Sequence, residues 1–285
     1  MTRLIASELY KLRKRLMTKV LLYVLVGIII ILYLVFLAVS KANIPAHGTG
    51  EIDNIQNILG LPVAIPFALM ILSFVGSVLA VILVASCIGN EYNWRTMRTI
   101  LICSESRFKL LGAKLIAAAI FIFIGMVIGV VTGFVMSLIT TAIGGYAFGF
   151  SFATGDYLWD QFVQFWRTYF VLIPYALLGF LLAIVGRSAM PGIALGIGIL
   201  FLEPFISTIM RLARGWIAQI PDYLLAANVS TITALGNLPG ELGREMGGGE
   251  ASSLGTGHAF ITLTIYSLVF AFLAFYFFRR RDVTG

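Results

Sequence analysis

Six stretches of the chain are almost uninterrupted apolar sequence, at residues 20–39, 62–88, 115–142, 163–186, 189–210 and 259–278. At about 1.5 Å of rise per residue, each can carry a helix across ~30 Å of hydrocarbon. The pattern predicts an all-α integral membrane protein with six transmembrane helices, in a single transmembrane domain over residues 1–285. Arg167 stands near the start of the fourth stretch with Trp159, Trp166 and Tyr169 around it. That grouping reads as an interfacial aromatic belt beside a snorkelling cation. Trp216 to Leu235 is also moderately apolar, but Pro221, Asp222 and Asn228 interrupt it. It predicts short helices buried against protein, within an enlarged outer region at 211–257, rather than a seventh crossing.

Two polar stretches break the pattern. In the first, residues 1–19, Ile5, Leu9, Leu12 and Leu16 recur at helical spacing, with Lys11, Arg13, Lys14 and Arg15 on the remainder. This predicts an amphipathic helix lying among lipid headgroups. The second, residues 89–114, separates spans two and three. Read as a helix from Glu91 to Leu101, it places Trp94, Met97 and Leu101 on one ridge and Glu91, Arg95 and Arg98 on the neighbouring row. Glu91 and Arg95 have the favourable i, i+4 spacing. Such a two-faced helix suits a groove on a protein partner, although a plain basic loop would carry the same charges.

Composition fixes the solvent. The chain has 285 residues, 60% of them hydrophobic and 12% charged, against about 25% charged in soluble domains. Its net charge of +7 fits basic loops facing anionic lipid rather than nucleic acid. With both termini inside, 15 of the Lys and Arg residues face inward and 5 outward, whereas 4 acidic residues face inward and 9 outward. That is the positive-inside arrangement. The first apolar stretch lacks a clean cleavage site and reads as a retained helix. Cys87 and Cys103 fall on the inner side and suggest no disulfide framework, while His47 and His258 fall on the outer side, so no zinc site is expected. The Asn228-Val229-Ser230 sequon is read as chance.

The whole pattern resembles the ABC-2 type permeases, the type V exporter-like membrane subunits of bacterial ABC exporters. The likeness rests on Glu8-Leu9-Tyr10-Lys11-Leu12 in a basic N-terminal helix, then one span and an outer loop. A second span follows, ending in Gly89-Asn90-Glu91-Tyr92-Asn93-Trp94-Arg95-Thr96, with Leu101, Ser106-Arg107 and Lys114 leading into span three. The resemblance implies a cytoplasmic coupling helix between spans two and three. Its ATPase-coupling residues would be Glu91, Trp94, Arg95, Thr96, Met97, Arg98, Leu101 and Arg107. It implies a separate ATPase subunit that binds ATP and Mg, a second permease copy, and a bacterial plasma membrane with both termini cytoplasmic. The chain contains no G-x-x-x-x-G-K-[ST] sequence, so it carries no phosphate-cradling loop of that type and is not expected to be an enzyme itself.

Three further features carry expectations. Glu203, inside span five and followed by Pro204, is either a pathway-facing carboxylate or a structural one paired with Arg211 or Arg214. Gly125, Gly129 and Gly133 in span three, and Gly192 and Gly196 in span five, form ridges for close helix packing. A gradient-driven secondary transporter and a non-transporting membrane scaffold are the competing functional readings, but the inverted repeats and broken helices common in secondary transporters are not evident.

Overall fold

The computed structural model describes residues 2–41, 60–94, 107–144, 153–212, 215–236 and 255–280. Among these, every regular element is helical. Helix α1 covers Thr2–Lys14, and α2 follows at Leu16–Lys41. A 3-10 turn at Leu61–Val63 leads into α3, Ala64–Asn93. Then come α4 (Arg107–Gly144), α5 (Gly155–Gly186) and α6 (Ala189–Leu212). A 3-10 helix at Gly215–Tyr223 and the short α7, Leu225–Thr233, precede α8, Thr256–Arg280. Six of these segments, 24 to 36 residues long, are apolar enough to cross a membrane. The chain is a multi-pass membrane protein.

Helix ends differ from the apolar runs in an instructive way. The third span begins at Arg107 rather than near 115, because Arg107, Lys109 and Lys114 end an apolar window without ending a helix. The resulting helix of 38 residues is about 57 Å long and overhangs the hydrocarbon. The fourth span begins at Gly155, where Thr154 Oγ1 accepts from the Tyr157 N–H at 3.3 Å and Asp156 sits favourably in the first turn. The interrupted Trp216–Leu235 stretch forms no span: α7 has 9 residues, about 13 Å of helix. Its Leu225 and Ile232 pack with Val171, Tyr175, Leu200 and Leu263. Asn228, the sequon residue, is fully buried and donates to the carbonyls of Asp222 and Leu224, which closes it to glycosylation in the folded chain.

Helices α3 and α5 form the centre. More than half of each apolar window is buried, 56% and 61%, against 11–28% for the other four. Small residues let the neighbours close on α3, as expected where no hydrophobic effect drives helices together. A Cβ on Gly133 of α4 would stand 2.5 Å from the Ala68 Cβ, and one on Gly129 would stand 2.7 Å from Leu72 Cδ2. On α6, Gly192 meets Ala85 and Gly196 meets Val81; on α5, Gly179 meets the Val81 carbonyl. Gly125 departs from the expected ridge. No described residue lies within 4 Å of a Cβ there, because the residue opens onto an apolar cavity of about 60 Å³ between α2, α3, α4 and α5.

Candidate functional site: a buried ion cluster

At the end of the bundle that carries α1, three helices meet through charged side chains. Helix α1 packs along α4, and Leu12 joins Cys87 and Ala117 in a small apolar cluster. The face it buries runs through Ile5, Glu8 and Leu12 rather than through Leu16, which is 79% exposed. The reason is a break at Arg15: α1 ends at Lys14, and Leu16 already belongs to α2.

Glu8, Glu91 and Lys114 are each at most 2% exposed. Lys114 Nζ donates to Glu8 Oε2 at 2.8 Å and to Glu91 Oε1 at 2.5 Å. Lys11 Nζ closes on Glu8 Oε1 at 2.7 Å from the more exposed side. Arg15 lies 3.7 Å from Glu91 Oε1 and donates to the Cys87 carbonyl at 3.3 Å, in the last turns of α3. Its guanidinium also stands over the Trp94 ring, 5.8 Å from the centroid. One buried ammonium therefore ties α1, α3 and α4 to a point, with Lys11 and Arg15 beside it among the described residues. Desolvation makes such a cluster a poor source of net stability, but losing a member is costly because the remaining charges are stranded.

The cluster has an acid limit. Burial alone would raise the Glu8 pKa, yet Lys114 and Lys11 outweigh it and hold the carboxyl below the ordinary glutamate range. A depressed folded-state value means that Glu8 contributes fully above the unfolded value of about 4.3 and progressively less as pH falls through the folded value. The apparent Tm of the purified protein is therefore expected to carry a Glu8 contribution that is flat from pH 7 to about pH 5 and decays below about pH 4. Glu8→Gln should remove that component. Identical acid profiles for the two proteins would contradict the assignment.

The expected coupling residues are distributed unevenly. Glu91 belongs to the last turn of α3 and faces the interior. Trp94 caps α3, its N–H donating to the Asn90 carbonyl at 2.9 Å, and is 63% exposed. Arg95, Thr96, Met97, Arg98 and Leu101 lie outside the described residues, and Arg107 opens α4. Sequence reasoning passed over Glu8 and Lys114 as site residues. The available signal was Glu8 itself, three residues from Ile5 and four from Leu12, on the apolar face of a basic helix.

Glu203 sits far from this cluster, on α6. It is 8% exposed, and its Oε1 accepts from the Ala226 N–H at 2.9 Å. Leu224 cannot cap α7 with its side chain, so Glu203 caps it from another helix. Arg211 pairs instead with Asp222 at 3.2 Å, and Arg214 lies outside the described residues. Among the described residues, no group of three His, Cys, Asp or Glu could hold a metal ion.

Residues 54–284 match the model of a family described as protein of unknown function (DUF2705). No curated protein matches the chain.

Proposed function

This chain belongs to the DUF2705 family, and we propose that it is the permease subunit of an ATP-driven ABC exporter. In this reading two copies form the pathway in a bacterial plasma membrane, with termini on the cytoplasmic side. A separate ATPase subunit binds ATP and Mg. The observation that supports the reading is the exposed Trp94 ring beside the buried Glu8–Lys114–Glu91 cluster. The coupling segment would run from Glu91 through Arg95, Thr96, Met97, Arg98 and Leu101 to Arg107. Its two ends are rooted together, since Glu91 on α3 and Lys114 on α4 share a bond. A push on this segment would move α3 and α4 as one body and carry α1 through Glu8. Arg3, Tyr10, Arg13 and Lys14 on the exposed face of α1 suit anionic headgroups on the same side. Glu203 holds α7 against α6 and would transmit rearrangement of the pathway to the outer region.

Co-purification from the native membrane tests the proposal. An ATPase carrying a G-x-x-x-x-G-K-[ST] loop, identified by mass spectrometry, should accompany the chain and hydrolyse ATP. Trp94→Ala should weaken that association at least ~10-fold, the scale of an aromatic interface anchor, without lowering the Tm of the isolated chain. A scaffold or a gradient-driven carrier would bring down no such subunit, which would overturn the reading. Orientation has its own check. Cys87 is buried, so a membrane-impermeant maleimide should report Cys103. Labelling is expected only after sealed cells are permeabilised, and labelling of intact cells would reverse the topology.

A further inference from the structure

The turn that joins α5 to α6 is held from both sides. The Arg187 N–H donates to the Ile184 carbonyl at 3.3 Å and the Ser188 N–H to the Ala183 carbonyl at 3.3 Å, which closes the end of α5. Ser188 Oγ accepts from the Met190 N–H at 3.4 Å and so caps α6. The backbone of Ser188 and Ala189 presses on Gly89 of α3, about one and a half helical turns before Trp94. Arg187 is the residue that local structure does not explain. At φ 51° it is the only non-glycine residue with positive φ among the described residues, at the position after a helix where glycine serves at least cost. Its side chain is exposed and makes no hydrogen bond or ion pair among the described residues. Strain kept for a side chain that touches nothing in its own chain points to a contact outside it. Beside it, Met190 is 77% exposed.

Charge says what that contact is. Among the described residues, every exposed charge at this end of the bundle is a cation, on α1, α2, α4, α5 and α8, because the acids Glu8 and Glu91 are buried with Lys114. The complement is an anionic surface. Lipid headgroups surround a bundle and meet its outer helices first. Arg187 stands instead at the end of α5, the most buried span, with its turn against α3, the next most buried. A protein seated on Trp94 reaches that place. We propose that Arg187 and Met190 form a second docking point for the ATPase subunit, Arg187 pairing with a carboxylate on it and Met190 giving apolar grip. This rests on the exporter reading, and it lets the same subunit push α5 and α6 through their turn while the coupling segment moves α3 and α4.

The test places p-benzoylphenylalanine at Met190, and separately at Trp94, and photo-activates each variant in native membranes. Mass spectrometry of the adducts is expected to find the same polypeptide, with a G-x-x-x-x-G-K-[ST] loop, at both positions. Arg187→Gly removes the guanidinium and relieves the backbone, so the Tm of the purified chain should match or exceed the native value. The Kd of the ATPase captured at Trp94, titrated onto the purified chain, should nevertheless rise about tenfold, the weight of one charge-assisted hydrogen bond. Arg187→Lys should keep most of the affinity. If Arg187→Gly fails to fold, the adduct at Met190 still decides, since that variant keeps Arg187. An arginine that only complements the helix C-terminus, or that binds lipid phosphate, would leave the Arg187→Gly affinity native and give lipid adducts alone at Met190. Either result, with the ATPase still captured at Trp94, overturns the second docking point and leaves the exporter reading intact. Capture of no ATPase from either position overturns both.

Discussion

Lys114→Met is expected to destabilise the purified protein by about 3 kcal/mol or more, the scale for breaking a buried ion pair by removing one partner. The side chain of Lys114 is fully buried and holds Glu8 and Glu91 at once. Methionine fits the space but takes from two buried carboxylates the ammonium they share; among the described residues Lys11 stays beside Glu8 and the more distant Arg15 beside Glu91. Helix α1 should loosen first. It has 13 residues, and isolated helices shorter than about 12–15 residues are marginal in water. The apparent Tm and limited proteolysis of the first 15 residues read the two effects. Adding Glu8→Gln and Glu91→Gln to Lys114→Met should recover most of the loss, since a neutral cluster strands no charge. If Lys114→Met melts with the native protein, or if the triple variant is worse still, the ammonium is not what joins the helices.

Gly89→Ala is expected to cost about 1–3 kcal/mol or more, although it adds a single methyl group. A Cβ at that position collides with the backbone of Ser188 and Ala189, at the turn joining α5 to α6. Backbone cannot swing aside as a side chain does. The turn has little slack: Arg187 already occupies the left-handed region at φ 51°, and a Cβ on Gly186 would meet the ring of Pro191. The strain must therefore separate α3 from α6 at the end where Glu91 and Trp94 lie. Gly125→Ala is the control. Its added methyl meets no described residue within 4 Å, and alanine is about 1 kcal/mol better than glycine inside a helix. Its Tm should match or exceed the native value. Equal melting of the Gly89 and Gly125 variants would show that the α3–α6 approach is looser than described.

These two sites separate what could be read along the chain from what could not. All six spans are visible as apolar runs, because a helix in hydrocarbon needs a continuous stretch of about 20 such residues. The exclusion of Trp216 to Leu235 from the spans was legible too, since Pro221 and Asp222 end one short helix before the next begins. Helix ends were less visible. Charge marks where the apolar surroundings stop, whereas a helix continues through Arg107, Lys109 and Lys114 as readily as through leucine. The three glycines of the third span share one period, yet two face α3 and the third faces a void. Periodicity places residues on a face without saying where along that face a neighbour ends.

The sequence by itself determined the solvent, the number of crossings and the basic amphipathic start. Each of these depends on local composition over a window no longer than one helix. Tertiary structure decided that Glu8 and Lys114, 106 positions apart, share a proton-bearing contact with Glu91. It also decided that Glu203 caps a helix beginning 22 residues later rather than pairing with a nearby arginine. A buried charge is stable only beside its complement, and which complement reaches it depends on how the helices pack, a property no single window contains.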